Sequence, residues 1–278
     1  MKQVKLIATD LDGTLLGEGN DVSQRNLAAL TRAAQAGISL VIATGRNYSE
    51  IPDRVLALPV RYFITANGGY VYDREKDQVI CSRCLTLEQA VYVISIGKEF
   101  GGYSMFYINR NVYTSSNFSE YMAALPQRSV YEVLARRYIP CDDIAREPGA
   151  DAYIQKVVLF FQKENKRRQA LEAVQSRDCR AGEFEISSSY LSNVEINPRG
   201  VNKGVGLKEI MRIMNIAESE AAAIGDSGND RKMLELVGHS YAVANAVPEI
   251  KACVGPDRIL SSNVEHGVAY LIDRLLEE

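Results

Sequence analysis

Val4-Lys5-Leu6-Ile7-Ala8-Thr9-Asp10-Leu11-Asp12-Gly13-Thr14 is an apolar run that ends in two carboxylates. Side chains alternate along a strand, so Asp10 and Asp12 can point to the same side, where one attacks and the other handles a proton. Gly13 permits a sharp turn, and the loop after a parallel strand is where open α/β sheets place their chemistry. The stretch therefore points to an α/β fold and to phosphoryl transfer.

The residues around it repeat the strand–helix alternation. Ser23 can cap a helix carrying Leu27, Leu30 and Ala34 at helical spacing, and Gly37 ends it. Ile38–Ala43 reads as a second buried strand running into Thr44-Gly45-Arg46. A helix stopped before Pro59 and a strand over Tyr62–Thr65 follow. Asn67-Gly68-Gly69 is a turn signal, and Tyr70–Tyr72 and Gln78–Ile80 can pair as a hairpin. This alternation predicts a parallel sheet with right-handed crossovers.

The middle of the chain has an α+β texture. Thr86 and Gln89 form a capping box for a helix through about Phe100. Strands are expected over 103–108, 112–114, 154–161 and 184–188, with a helix over 166–175. The stretch Leu125–Ala150 shows no clear pattern. From Val194 the first texture returns. Asn202 caps a helix, Ala221–Ile224 is a short strand, and Gly225-Asp226-Ser227-Gly228-Asn229-Asp230 follows it. The expected organisation is a discontinuous parallel-sheet core, residues 1–80 and 191–278, with an insertion over 81–190.

Composition sets limits. The chain of 278 residues carries a net charge of −3 and 46 % hydrophobic residues, enough for real cores and too balanced for bulk binding to nucleic acid or an anionic membrane. No run reaches membrane-spanning length. Five scattered cysteines fit a reducing compartment, so a cytoplasmic setting is expected.

Phosphoryl transfer through an aspartyl intermediate needs a nucleophile, an acid/base, a metal, and donors for the equatorial oxygens. Asp10 is the candidate nucleophile. Asp12 is placed to protonate the leaving oxygen and later to deprotonate water. Asp226, supported by Asp230, completes an all-oxygen site with Asp10 and the main-chain carbonyl of Asp12, a ligand set suited to Mg2+. Thr44 can donate to the phosphoryl group, and Lys203 at a helix start offsets the crowded negative charge. Arg46 and Asn67 lie in loops where they can reach a substrate.

The order Asp10-x-Asp12-Gly13-Thr14, Thr44-Gly45-Arg46, Lys203, Gly225-Asp226-x-x-Asn229-Asp230 resembles the haloacid dehalogenase superfamily. With the long insertion and Asn67-Gly68 after the third strand, the chain is similar to its Cof-type branch. The resemblance spans essentially the whole chain. It implies a Rossmann-like parallel core with an α+β cap over 81–190 that closes over the core and selects the leaving group. It also implies that Leu11 (through its main chain), Thr44, Gly45, Lys203 and Asn229 hold the phosphate. The implied activity is a Mg2+-dependent phosphatase of small phosphorylated metabolites such as sugar phosphates or phosphorylated cofactors. The second aspartate argues against dehalogenation, which needs no acid there. Two alternatives use similar machinery: a sugar phosphomutase, and a phosphoacceptor signalling protein like the much shorter receiver domains. No sequence feature reports oligomeric state.

Other features point to ordinary structure. Cys81-Ser82-Arg83-Cys84 has redox or half-zinc spacing but lacks a second pair, and His239 and His266 are far away in sequence. Tyr103, Phe106, Tyr107 and Tyr113 either pack or line a pocket. Ser187-Ser188-Ser189-Tyr190 is placed at the return from the insertion, as a hinge or a specificity element.

Overall fold

A computed structural model describes residues 4–124, 137–147, 154–188 and 192–277. The chain divides into two compact units. One comprises Met1–Arg46, Ile51–Cys81 and Asn202–Glu278, and the other Asn47–Glu50 and Ser82–Val201.

The first unit is built on an eight-stranded sheet. Strand β1 (Leu6–Thr9) leads through helix α1 (Gln24–Gln35) to β2 (Ser39–Ala43), and a short α2 (Asp53–Leu56) leads to β3 (Tyr62–Thr65). Then come β4 (Tyr70–Asp73) and β5 (Gln78–Ser82), where the chain leaves for the second unit.

That unit contains α3 (Leu87–Glu99), β6 (Tyr103–Ile108), β7 (Asn111–Thr114), α4 (Phe118–Ala123) and β8 (Ile139–Pro140). It continues with β9 (Ile154–Phe160), α5 (Glu164–Ala181), β10 (Phe184–Ser187) and β11 (Asn193–Pro198). Back in the first unit, α6 (Lys203–Met214), β12 (Ala221–Gly225), α7 (Arg231–Leu236), β13 (His239–Val243), α8 (Pro248–Val254), β14 (Ile259–Leu260) and α9 (Gly267–Glu277) complete the chain.

The first sheet runs β14-β13-β12-β1-β2-β3-β4-β5. It is parallel from β14 to β3, and β4 pairs antiparallel with β3. β1 lies between β2 and β12, which follow it on opposite sides, so its carboxyl end is the topological switch point where such sheets bind ligands. Strands covered on both faces read as continuous apolar runs. Leu6, Ile7 and Ala8, like Ala221, Ala222, Ala223 and Ile224, have no exposed surface.

Local signals shaped the helices as expected. Ser23 accepts from the Asn26 amide, Thr86 and Gln89 form the reciprocal capping box, and the Asn202 side chain accepts from the Val205 amide. The helix expected before Pro59 is only α2, because Pro52 interrupts the pattern and leaves one turn.

The second sheet, β10-β11-β9-β6-β7-β8, is antiparallel except for β7 with β8. Its core joins Val93 and Ile94 of α3 and Ala170 and Val174 of α5 to Phe106, Val157 and Leu159. Phe106 and Tyr113 stack in this core at 5.5 Å. Tyr103 packs on Tyr121 at 5.5 Å, and Tyr107 lies 5.5 Å from the Lys156 ammonium.

The expectation that residues 191–278 return to the first sheet is corrected by one strand. Asn193–Pro198 pairs antiparallel between β9 and β10, so the division between units falls at Val201 and Asn202. Ser187 accordingly ends β10 and Ser188 begins the β10–β11 connection, where Ser188 Oγ donates to the Asn193 carbonyl. Ser189 and Tyr190 lie outside the described residues, as do residues 125–136 and 148–150 of the unpatterned stretch. Among the described residues no helix is long and apolar enough to cross a membrane.

Candidate active site

Asp10 leaves β1 where the register pairs Thr9 with Ile42 on one side and Ile224 on the other, and its amide donates to the Ile224 carbonyl at 3.1 Å. This backbone bond carries the Asp10 side chain to the carboxyl end of the sheet beside the loop after β12. Lys203, the first residue of α6, has no exposed surface. Its Nζ donates to Asp10 Oδ1 and to Asp230 Oδ1, each at 2.7 Å. Asp230 Oδ2 accepts the amides of Asp226 (2.9 Å) and Ser227 (3.0 Å), so one carboxylate ties the loop after β12 to the buried ammonium. Thr14 Oγ1 donates to Asp226 Oδ1 at 2.8 Å.

Two glycines make this closeness possible. A Cβ on Gly225 would stand 2.5 Å from the Asp230 carboxyl carbon. On Gly13, at φ 74°, it would stand 2.6 Å from Asp226 Oδ2.

Charge is not balanced here. Asp10, Asp226 and Asp230 bring oxygen atoms within 4.8 Å of one another around a single buried lysine. Burial foremost, then Asp230, raises the Asp10 carboxyl well above its ordinary range, against the pull of Lys203. Burial and Asp230 likewise push Asp226 up to about 6. Burial works to lower Lys203, but Asp10 and Asp230 override it and hold the ammonium charged, raised above its ordinary value. An all-oxygen donor set carrying excess negative charge fits a hard divalent cation, which would relieve the repulsion that raises both aspartates. Asp10, Asp226 and Asp230 are the carboxylates that could hold it. The Asp12 carboxylate stands apart, half-exposed, so the earlier expectation for Asp12 rests on its main-chain carbonyl.

The other expected residues border this cluster within the same unit. Leu11 is buried in the turn that follows Asp10. Thr44 is fully buried, its amide donates to the Ile64 carbonyl at 2.8 Å, and its Oγ1 accepts the Arg46 amide at 3.1 Å. Asn67 adopts φ 57° and accepts from Asn229 Nδ2 at 3.2 Å. A Cβ on Gly45 would lie 2.8 Å from Asn67 Oδ1. Arg46, read as a substrate contact, forks onto Asp12: its Nε donates to Oδ2 at 2.8 Å and its Nη2 to Oδ1 at 2.5 Å.

Asn20, which also accepts from Arg46, and Asn245, which donates to the Gly13 carbonyl at 2.8 Å, were not foreseen. For Asn20 the available signal was the Gly17-Glu18-Gly19-Asn20 turn composition. For Asn245 there was none. Cys81 and Cys84 are not joined in a disulfide, and the Asp10–Asp226–Asp230 group is the metal-capable cluster among the described residues.

Comparison with known proteins completes the picture. The family model for haloacid dehalogenase-like hydrolases matches residues 7–272. The chain belongs to that family. Within it, the relatives place it in the Cof-type branch and make it a phosphatase. It is 30 % identical to phosphatase YwpJ of Bacillus subtilis over 98 % of this chain and 100 % of that one. It is 31 % identical to 5-amino-6-(5-phospho-D-ribitylamino)uracil phosphatase YwtE of the same organism over 98 % of each chain. A solved haloacid dehalogenase-like hydrolase from B. subtilis superposes with a TM-score of 0.81 at 30 % identity, covering 98 % of this chain and 100 % of that one. The family's α/β core is thus the fold of this phosphatase.

Proposed function

We propose that this phosphatase hydrolyses small phosphorylated metabolites, sugar phosphates or phosphorylated cofactors, through a phosphoryl group carried on Asp10. The observation that carries the reading is the Lys203 ammonium fixed between Asp10 and Asp230, with Asp226 beside them, at the switch point of the sheet. Asp10 is buried at the end of β1, and Lys203 orients its carboxyl and favours the charged form that attacks.

Attack by Asp10 forms the Asp10 Oδ–phosphorus bond as the ester P–O bond breaks, and Asp12 delivers its proton to the leaving oxygen. Asp12 then takes a proton from water as that water's oxygen displaces Asp10 from phosphorus. Thr44, Gly45, Asn229 and the Leu11 amide, with Lys203, are assigned to the phosphoryl oxygens, and Asn67 braces Asn229. Asp10, Asp226 and the Asp12 carbonyl would hold Mg2+, with Asp230 supporting. The ion would supply charge neutralisation for the transferring group. The unit built on Ser82–Val201, expected over 81–190, is assigned the choice of leaving group.

That a relative sharing 31 % of its residues is named for a phosphoribityl substrate supports a small polyhydroxylated phosphate ester. The test is phosphate release from a panel of phosphometabolites with and without Mg2+. Metal-dependent release, strongest for sugar or cofactor esters, is expected. No release from any phosphomonoester, including activated aryl phosphates, would overturn the reading. Isotopic phosphate carried onto a second hydroxyl would identify a mutase instead.

A further inference from the structure

We infer that Arg46 is a positioning residue for Asp12 and not a contact of the substrate, an inference that rests on the acid/base role proposed for Asp12. Asp12 sits in a turn with its side chain 48 % exposed, so packing alone does not fix its rotamer. The guanidinium does: Nε and Nη2 engage the two carboxylate oxygens at 2.8 and 2.5 Å, a two-point fork that sets both direction and plane.

Arg46 is itself held firmly. Only 12 % of its side chain is exposed. Its amide donates to Thr44 Oγ1 at 3.1 Å, and its carbonyl accepts the Ala66 amide at 2.9 Å. Ala66 adopts φ 50°, a strained value for alanine that persists only where the surroundings impose it.

The terminal nitrogen that meets Asp12 has a second acceptor as well. Nη2 donates to Asn20 Oδ1. Asn20, at φ 60°, lies at the tip of a small loop closed by the Gly17 amide on the Asp21 carbonyl (2.9 Å), by the Leu16–Val22 bridge, and by the Asp21–Arg54 ion pair. Three backbone segments of one unit thus converge on a cation that points at one carboxylate. Such an arrangement has its effect through that carboxylate: displacing a reacting group by about 1 Å costs on the order of a hundredfold in rate.

The consequence concerns the leaving group. Protonation by Asp12 matters for an alkoxide leaving group and little for a stabilised phenolate. The value of kcat/KM reports the steps through departure of that group. Compare it for a sugar phosphate and for dinitrophenyl phosphate in wild type, Arg46→Gln, Arg46→Lys, Asn20→Ala and Asp12→Asn, with thermal melting confirming that each variant is folded.

Arg46→Gln is expected to lower kcat/KM for the sugar phosphate by roughly 10- to 100-fold and for the aryl ester only severalfold. Lysine should restore part of that loss. Asn20→Ala should show the same selectivity more weakly, and Asp12→Asn more strongly. An equal fall for both esters carried by a rise in KM would make Arg46 a substrate contact and overturn the inference. Unchanged kinetics in both Arg46→Gln and Asn20→Ala would overturn it too. If Asp12→Asn spares the sugar phosphate, the acid/base reading itself falls, and the inference with it.

Discussion

Lys203 is a fully buried ammonium held at 2.7 Å by two carboxylates, and its removal leaves Asp10 and Asp230 facing each other without a cation. Breaking a buried pair from one side costs about 3–5 kcal/mol. Lys203→Met is therefore expected to lower unfolding stability by about 3 kcal/mol in urea titrations and to abolish phosphate release. A stability unchanged from wild type would contradict a structural role for the pair.

Asp226 gives a pH-dependent counterpart. Its folded value of about 6 lies above the ordinary 3.8, so the metal-free fold binds the proton more tightly than the unfolded chain. Its favourable contribution is complete below 3.8 and is lost as pH rises through about 6. Asp226→Asn should thus stabilise the metal-free protein at pH 7, by on the order of 1–3 kcal/mol, and change little near pH 4. Thermal melts across that range in chelator check it, and equal effects at both pH values would contradict it.

Among the elements, the turn after β3 and the start of α6 meet with no room to spare. A Cβ on Gly68, at φ 103°, would stand 2.2 Å from the Asn202 carbonyl oxygen, and Asn202 caps the helix that begins with Lys203. Gly68→Ala is expected to cost about 2 kcal/mol or more and to lower kcat by shifting Lys203, whereas Gly37→Ala at φ 84°, with open space, should cost stability alone. Differential scanning calorimetry with kcat measured on both variants separates the two.

What the sequence disclosed at this scale follows the range of the forces involved. Ser23, the Thr86–Gln89 box and Asn202 were legible because capping is settled within a few residues. Asp10, Asp226 and Asp230 were legible because strands deliver their following loops to one edge of a parallel sheet. Asn193–Pro198 was misplaced because its partners are β9 and β10, and the antiparallel choice is made by pairing, not by local pattern. The fork from Arg46 to Asp12 and Asn20 joins loops distant in sequence through side chains alone, and no periodicity records such a contact.

For the whole molecule, fold and proposed chemistry meet in the first unit: the sheet fixes Asp10, the proposed nucleophile, the loop after β12 supplies Asp226 and Asp230, and the start of α6 supplies the counter-charge on Lys203. A divalent cation that binds only the folded site should raise the melting temperature with concentration, as mass action requires, and Asp226→Asn should blunt that rise. Titrating Mg2+ and Ca2+ by thermal shift reads this directly, and an equal rise in the variant would remove Asp226 from the site.

The central claim is that the phosphoryl group passes through Asp10. It is tested most directly by mass spectrometry of enzyme quenched in acid during turnover, with Asp10→Asn as the control. The expected result is a phosphoryl adduct on the peptide bearing Asp10 in wild type, and none in the variant, whose kcat falls by about a thousandfold or more. Full turnover by Asp10→Asn, or an adduct on any other residue, would contradict the account.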